Sequence, residues 1–309
     1  LEQPAKRYSD ITKTPLAVHM AGNRLPSIPQ WQAAMTDHGV TSVVIARTFK
    51  QHQRDYWLSL KRVIPGLRII MDFDDLLWNP CPLSSYKPTP EMISNLDAVA
   101  NAADLLIAST KPMADALWHR YKKKARVLPN MVDEGIFRRP IRRNAREKMR
   151  VLWAGSTTHQ RDMMLIEEVV KQTADKYEWH FMGWVPDSIR PLVRFHAGVD
   201  MGAYIDTVAG IRAHVGVAPL ANTTFNKCKS NVKLLEYGAL GMATVASGVY
   251  PYNPSAALLV KTGTVAEWIA ALADMENEQK RYARAVAAQA YSRTFSITNR
   301  DQEILNAYK

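Results

Sequence analysis

The chain has 309 residues, enough for two ordinary domains, and its 47% hydrophobic content supports well-packed cores. With 22% charged and 9% aromatic residues, the composition is that of a globular chain and argues against disorder. The net charge is +11, and the two cysteines, Cys81 and Cys228, stand too far apart for a cysteine metal motif and are too few for a disulfide framework.

The first half of the chain alternates short apolar, β-rich runs with helical patterns. We predict five strands there, at Leu16–His19, Ser42–Ala46, Arg68–Asp72, Leu105–Ala108 and Arg126–Leu128. Helices are predicted between these strands, near 28–38, 54–63, 90–102 and 111–123.

The same alternation resumes after a charged stretch that contains proline. Strands are predicted at Arg150–Ala154, Glu178–Met182, Leu192–Phe195, Val215–Ala218 and Ala243–Ala246. Helices are predicted near 161–175, 204–212, 229–240, 264–274, 276–291 and 297–308.

Strands that alternate with helices indicate parallel α/β sheets. Two such series predict two doubly wound, Rossmann-like domains that face each other across a cleft, where ligands bind at the carboxyl ends of the strands. We predict an N-terminal domain at 1–135, a basic linker at 136–149, a second domain at 150–294 and a final helix at 295–309 that crosses back. No GxGxxG or GxxxxGK pattern occurs, so a dinucleotide oxidoreductase or P-loop NTPase lacks its usual motif.

The excess positive charge is concentrated in two segments. Residues 120–126 hold five basic side chains and no acidic one, and residues 138–150 hold seven basic side chains and one acidic one. Such segments suit a polyanion, either DNA or an anionic membrane surface. The alternative is that the first ends a helix, where cations are favoured, and that the second is a solvated linker.

The segment from Val217 to Ser247 has the pattern of strand, polar loop, helix, glycine turn and strand. If one helix covers 229–240, Lys229, Lys233 and Glu236 lie on one of its faces. Cations near a helix N-terminus suit a diphosphate, and a carboxylate further along suits a sugar or ribose hydroxyl. The alternative is an ordinary amphipathic helix with solvated lysines.

A second candidate site opens the second half. Gly155 ends the predicted strand, and the hydroxyls of Ser156 and Thr158 precede a helix. Glycine allows a ligand to approach the backbone, and a helix start binds phosphate. His159 and Arg161 follow closely; the alternative is that the hydroxyls merely cap the helix.

Three carboxylates, those of Asp72, Asp74 and Asp75, lie at the end of the third strand. At the carboxyl edge of a parallel sheet they would face the cleft, where they could bind acceptor hydroxyls or assist proton removal. The alternative is turn and N-cap chemistry, which aspartate favours.

The sequence FNKCKSNVKLLEYGALGMATVAS resembles the donor-site helix of GT-B glycosyltransferases, particularly retaining family 4. The resemblance implies that Glu236 binds the donor ribose. The first glutamate of the family pattern falls at Cys228, and a Lys-Ser pair, here Lys229 and Ser230, occupies this position in some related sequences. Asn226 or Lys229 would then take over part of the contact with the donor sugar.

The turn after Gly155 resembles the Gly-Ser-x-Thr-His turn of the same enzymes. This implies that Gly155 and Ser156 lie near the diphosphate or the transferred sugar, with His159 and Arg161 nearby. Gly22, in the first βα turn, would lie over the diphosphate, and Gly183 would lie near the nucleotide base. The run Asp72-Phe73-Asp74 matches the short metal motif of the GT-A fold, but the two-domain pattern opposes that fold, so we predict no metal and no cofactor.

The resemblance implies a glycosyltransferase that moves a hexose or pentose from a nucleotide-diphosphate sugar to a hydroxyl. The low cysteine count favours a reducing, cytoplasmic compartment. The acceptor is either a surface glycan or lipid-linked sugar, with the enzyme peripheral to a membrane, or a hydroxymethylated DNA base, as with phage DNA-modifying enzymes in a host cytoplasm. The alternatives are a nucleotide-sugar epimerase of GT-B shape and a non-catalytic binding protein. No run of apolar residues is long enough to predict a transmembrane helix.

Overall fold

The computed structural model describes residues 2–19, 24–81, 86–138, 140–141 and 148–309. Within these residues the chain forms two parallel β-sheets, one of five strands and one of six, with helices packed against them. The predicted α/β class and the two parallel sheets are therefore confirmed. The proposed domain boundaries stay a prediction.

The first sheet contains strands β1 to β5, at Leu16–His19, Ser42–Ala46, Arg68–Phe73, Leu105–Ala108 and Ala125–Val127. The helices of this half are α1 to α5, at Glu2–Thr12, Ile28–His38, Gln51–Val63, Pro90–Ala102 and Lys111–Tyr121. Ser27, Thr89 and Thr110 cap three of these helices, each accepting a hydrogen bond from the third backbone N–H that follows.

The second sheet contains strands β6 to β11, at Arg150–Gly155, Glu178–Gly183, Arg194–Ala197, Val215–Ala218, Ala243–Ser247 and Leu258–Val260. The helices of this half are α6 to α13, at Gln160–Met163, Glu167–Thr173, Met201–Ile211, Thr224–Cys228, Val232–Ala239, Val265–Asp274, Glu278–Arg293 and Asp301–Tyr308.

The two sheets are wound differently. In the first sheet the strand order follows the chain, β1-β2-β3-β4-β5, and helices α2 to α5 pack on one face. In the second sheet the order is β11-β10-β9-β6-β7-β8, so the winding reverses between β6 and β9. Ligands of open α/β sheets bind where such a reversal occurs, because the loops after the two strands diverge there.

The other face of the first sheet is covered by the two terminal helices. Ala5 from α1 and Ile304 and Tyr308 from α13 pack with Val44 and Ile70 of the central strands. The chain thus returns from the second sheet to the first. The two connecting segments meet side by side, since Val132 N donates to Phe295 O and Ile297 N donates to Val132 O.

The prediction of one helix at 161–175 was wrong, because α6 and α7 are separate. Leu165 N bonds to Asp162 O and Ile166 N bonds to Met163 O, so the backbone tightens into a short turn between the helices. At this turn the side chain of Asp162 is buried and bonded to the loop after β9, which fixes α6 independently of α7.

The prediction of one helix at 229–240 was also wrong. Thr223 caps a short helix, α9, that ends at Cys228, and Lys229 has an extended backbone before α10 begins. The interruption has a tertiary cause: Phe225 and Cys228 pack into the core of the first sheet, and Thr110 Oγ1 donates to Cys228 O at 2.8 Å. Lys229 and Lys233 therefore do not share a helix face.

Smaller differences concern element ends. Strand β8 begins two residues after the predicted 192–195, because a 3₁₀ turn occupies Asp187–Leu192. The last helix begins at Asp301 instead of 297, after another 3₁₀ turn. Helix α1 and strand β11 were not predicted.

The basic segment 120–126 makes several internal contacts. Arg120 forms two hydrogen bonds to Asp97, at 2.8 and 2.5 Å, and its guanidinium lies 5.1 Å from the ring centre of Trp78. Lys123 donates to three carbonyls at the C-terminal end of α4, and Arg126 donates to two carbonyls at the C-terminal end of α13. Three of the five basic side chains of this segment thus form hydrogen bonds within the protein. Of the segment 138–150, residues 139 and 142–147 lie outside the described residues.

We expect Arg120→Ala to lower the free energy of unfolding by about 2 kcal/mol, because it removes a bidentate charge-assisted pair and a cation–π contact. Lys124→Ala is the matched control: its side chain is exposed, and a change within about 0.5 kcal/mol is expected. Chemical denaturation of both variants measures the difference. Equal effects would contradict a structural role for Arg120.

Candidate functional site

A polar cavity of about 180 Å³ lies between the two sheets. The side of the first sheet contributes Asp74, Asp75 and Asn130. The side of the second sheet contributes His159, Leu220, Lys229, Ser230, Val232, Lys233 and Tyr252. His159 follows β6 and Leu220 follows β9, so the cavity lies at the reversal point of the second sheet.

Lys233 is held at the end of β6. Its Nζ donates to Ala154 O and lies 5.4 Å from the ring centre of Trp153. A Cβ at Gly155 would lie 3.3 Å from this Nζ and 2.6 Å from the Trp153 ring, so glycine is what lets the strand end and α10 approach. Burial lowers the pKa of Lys233 to about 8, with Lys229 adding to the shift and Glu236 opposing it.

The N-terminus of α10 opens on the same cavity. Its N-cap residue, Asn231, directs its side-chain amide to Tyr291 Oη at 2.9 Å, and among the described residues this N-cap makes no side-chain capping bond. The first N–H groups of the helix are thus left available beside Val232 and Lys233. Uncapped N–H groups and the helix dipole favour an anion.

Charges of both signs meet across the cavity. Lys229 Nζ lies 3.8 Å from Asp75 Oδ1 and 4.9 Å from the ring centre of Phe225. Arg47, at the end of β2, contacts Asp74 at 2.9 Å and Asp75 at 3.3 Å. Burial raises the pKa of Asp75, although the charges of Lys229 and Arg47 oppose the shift. An anion that attracts Lys229 therefore competes with Asp75 for it.

Asp72 is separated from the other two carboxylates. It alternates with Phe73 along β3 and shares the sheet face of Ile70, which the terminal helices cover. Burial and the charge of Asp74 raise the pKa of Asp72 to about 7. Burial and the charge of Asp72 raise the pKa of Tyr308 in α13. Asp74 and Asp75 line the cavity, and Asp72 does not.

Asp162 joins the loop after β6 to the loop after β9. Its Oδ2 lies 2.7 Å from His159 Nδ1, and its Oδ1 accepts hydrogen bonds from Ala221 N and Asn226 Nδ2, both at 2.8 Å. Burial and the charges of Lys233 and Lys229 lower the pKa of His159 to about 4, against the influence of Asp162. The imidazole is thus neutral at pH 7.

The other residues predicted near the ends of β6 and β7 have different surroundings. Ser156 and Thr158 hydroxyls bond to each other at 2.8 Å at the start of a 3₁₀ turn. Arg161 lies on α6, outside the cavity lining. Gly183 has φ +91°, and a Cβ there would lie 2.4 Å from Gly155 O, so the two glycines allow the ends of β6 and β7 to pack closely.

Three residues that were predicted to contact the sugar donor form hydrogen bonds within the protein. Asn226 is buried and uses its amide group to bond Asp162 and Ala221 O. Ser230 lines the cavity, and its Oγ accepts from Asn130 Nδ2 at 2.7 Å. Glu236 Oε2 accepts from Tyr204 Oη at 3.1 Å, and burial raises its pKa. Gly22 lies outside the described residues.

Sequence reasoning missed the cavity-lining residues Asn130, Leu220 and Tyr252. It also missed Asp162 and Arg47, which bond to residues of the lining. Asp162 stands three positions after His159, a spacing that brings two side chains together on a helical turn, and this signal was available. Arg47 directly follows β2, and its backbone φ is +48°, which is unusual for a residue other than glycine. No local sequence pattern indicated that Arg47 contributes to this region.

Within the described ranges, no group of three or more histidine, cysteine or acidic side chains is arranged to hold a metal ion. In the same residues, no helix has both the length and the apolar character needed to cross a membrane. Both cysteines are buried and unpaired.

No protein-family model matches the chain, and no curated protein matches it either. Solved structures do match. A glycosyltransferase from Rickettsia africae ESF-5 has a TM-score of 0.65 at 12% identity, with 100% of this chain and 93% of that chain covered. TarM has a TM-score of 0.62 at 10% identity, with 87% of this chain and 54% of that chain covered. The pneumococcal O-GlcNAc transferase GtfA, solved in complex with UDP and GlcNAc, has a TM-score of 0.56 at 11% identity.

The chain spans about half the length of TarM and of GtfA, 54% and 58% respectively. It spans nearly all of the Rickettsia africae glycosyltransferase. At identities of 10 to 12% the likeness concerns the fold. The two parallel sheets with their helices match those of these solved glycosyltransferases, and the chain has the GT-B fold.

Proposed function

We propose that the chain is a glycosyltransferase that moves a sugar from a nucleotide-diphosphate sugar to an acceptor hydroxyl. One observation carries the proposal: the cavity between the sheets has a cationic wall, formed by Lys229, Lys233 and the N-terminus of α10, opposite a wall that carries Asp74 and Asp75. The first suits a leaving diphosphate, and the second suits an incoming hydroxyl.

The donor diphosphate would lie against α10 and the end of β6. Two ammonium groups and uncapped N–H groups converge there, and each stabilises the negative charge that develops as the sugar leaves. These groups supply the charge stabilisation expected of a metal-independent transferase. The complexes of a TarM variant with UDP and of GtfA with UDP and GlcNAc support a UDP-sugar as the first donor to try.

The acceptor is proposed to be a glycan or another neutral hydroxyl compound. Asp74 and Asp75 line its side of the cavity, and a phosphate-flanked DNA base would bring further negative charge toward them. The internal use of Arg120, Lys123 and Arg126 also leaves fewer cations of the segment 120–126 for DNA or an anionic membrane. The resemblance to family 4 implies that the anomeric configuration is retained.

A transfer assay tests this function. The protein is incubated with UDP-, GDP-, ADP- and dTDP-sugars, and with either neutral glycans or DNA that contains hydroxymethylated bases. We expect a hexose or pentose mass increment on a glycan, together with an equal amount of released nucleoside diphosphate. A mass increment on DNA would support the phage-type alternative. Conversion of the nucleotide sugar to its epimer, without transfer to an acceptor, would support an epimerase.

Asp75 provides a test of the acceptor wall. Asp75→Asn removes a charged hydrogen-bond acceptor, so we expect the KM for the acceptor to rise about tenfold. Because Lys229 loses its partner across the cavity, affinity for the nucleoside diphosphate should stay equal or increase. Asp115→Asn, an exposed pair with Lys111, is the matched control. A loss of diphosphate affinity in Asp75→Asn would place Asp75 on the donor side instead.

A further inference from the structure

His159 has two ring nitrogens in different surroundings. Nδ1 contacts the buried carboxylate of Asp162, and the ring stands edge-on to Trp153 with centroids 6.2 Å apart. The residue lines the cavity, so Nε2, on the edge of the ring away from Asp162, is the nitrogen left for a ligand.

The partners of Asp162 determine which nitrogen carries the proton. Oδ1 already accepts two N–H donors, from Ala221 and Asn226, which is the bonding expected of an ionised carboxylate. A carboxylate only accepts hydrogen bonds, so the contact at 2.7 Å requires a proton on His159 Nδ1. If the ring is neutral, Nε2 then has a lone pair and no proton.

The charges around the imidazole keep it neutral. Burial disfavours a positive charge on His159, and Lys233 and Lys229 act in the same direction, so together they outweigh Asp162 and lower the pKa of His159 to about 4. A neutral ring with its proton on Nδ1 presents only an acceptor at Nε2. A diphosphate also presents only acceptors, so the two cannot form a hydrogen bond.

We infer that His159 accepts a hydrogen bond from a hydroxyl of the transferred sugar through Nε2, and that Asp162 is the positioning residue that fixes this tautomer. The inference rests on the proposed function. His159 then contributes to specificity for the donor sugar, and the neighbouring lysines bind the diphosphate. A donor sugar must then carry a hydroxyl, rather than hydrogen or fluorine, at the position that faces His159.

Asp162→Asn tests most directly whether Asp162 determines the tautomer of His159. The asparagine can keep its oxygen toward Ala221 N and Asn226 Nδ2 while its NH₂ group faces His159 Nδ1. It would therefore reverse the tautomer and place a proton on Nε2. His159→Phe removes the acceptor altogether, and thermal unfolding of both variants checks that each remains folded.

The first measurement is ¹⁵N NMR of the imidazole, which needs no substrate. We expect the Nδ1–H tautomer in the wild type, neutral from pH 5 to 8, and the Nε2–H tautomer in Asp162→Asn. An Nε2–H tautomer or a charged ring in the wild type at pH 7 would overturn the inference, whatever the protein transfers.

The second measurement uses a series of nucleotide sugars in which single hydroxyls are replaced by hydrogen or fluorine. For one position we expect both replacements to weaken binding to the wild type by roughly tenfold. In Asp162→Asn, where Nε2–H would donate, the fluorinated donor should bind more tightly than the donor with hydrogen at that position, because fluorine accepts a weak hydrogen bond and hydrogen does not. In His159→Phe, affinity for the nucleoside diphosphate alone should stay unchanged. An equal loss for the diphosphate alone and for the donor would overturn the role of His159 as a sugar contact. Absence of any nucleotide-sugar binding by the wild type would overturn both the proposed function and this role.

Discussion

Lys233→Met is expected to lower the rate of sugar transfer by a factor of about 100 to 1,000, because it removes a preorganised cation from the leaving diphosphate. Methionine has a similar length and suits the apolar surroundings of Trp153, so the fold should persist. Lys227→Met is the matched control, since Lys227 is exposed on α9 only two residues before Lys229. Steady-state rates of both variants, at saturating donor and acceptor, measure the effect.

The same lysine predicts a pH dependence. With its pKa lowered to about 8, Lys233 is charged below that pH and becomes neutral above it, so affinity for a nucleoside diphosphate should fall as the pH rises from 7 to 9. In Lys233→Met the dependence over this range should disappear. A wild-type affinity that stays constant to pH 9, or equal rates for Lys233→Met and Lys227→Met, would contradict the role of Lys233.

Gly238→Ala is expected to lower the free energy of unfolding by about 3 kcal/mol. A Cβ at this position of α10 would lie 2.4 Å from Ala288 O and 2.4 Å from Ser292 Oγ, both in α12. Ala288 O is a backbone atom of a regular helix, so the two helices would have to move apart. Because α10 also carries Lys233, we expect weaker diphosphate binding in the same variant.

Gly210→Ala separates this packing effect from helix propensity. Gly210 lies in α8, and a Cβ at this position would meet nothing within 4 Å, so alanine there should leave the free energy of unfolding unchanged or raise it by about 0.5 kcal/mol. Denaturant titration compares the two variants. Equal unfolding free energies for Gly238→Ala and the wild type would contradict close packing of α10 on α12.

The strands of both sheets could be predicted because burial on two faces leaves a plain sequence signal. Ser42–Ala46, Leu105–Ala108 and Val215–Ala218 are short apolar runs, and their predicted bounds are confirmed. Strand β11 is shorter, with only Val260 buried, and gave no comparable signal. The prediction of a doubly wound first half did not anticipate that the strand order of its sheet follows the chain, or that helices from both chain ends cover its second face.

The interruption before α10 depends on contacts that no local pattern encodes. Phe225 and Cys228 leave the second half to pack into the core of the first sheet, and Thr110, more than a hundred residues earlier, bonds the end of α9. A helical pattern continues through Lys229, so tertiary contact overrides it. Lys229 and Lys233 nevertheless line one cavity, by a route different from the predicted shared helix face.

Some of the predicted site residues line the cavity, and others lie elsewhere in the structure. Lys229, Ser230, Lys233, His159, Asp74 and Asp75 lie together around the cavity. Asp72 and Asn226 were selected by the same reasoning, yet Asp72 faces the terminal helices and Asn226 is bonded within the loop. Strand register and buried hydrogen bonds determine whether such a residue lines the cavity. Both depend on partners that are distant in sequence. The roles of all these residues remain predictions.

A crystal structure of the protein with a bound nucleoside diphosphate tests the central claim most directly. We predict that the diphosphate oxygens lie between the end of β6 and the N-terminus of α10, within hydrogen-bonding distance of Lys229 and Lys233, and that Lys229 has turned away from Asp75. A diphosphate bound elsewhere, such as against the segment 120–126, with Lys229 still paired to Asp75, would contradict the account.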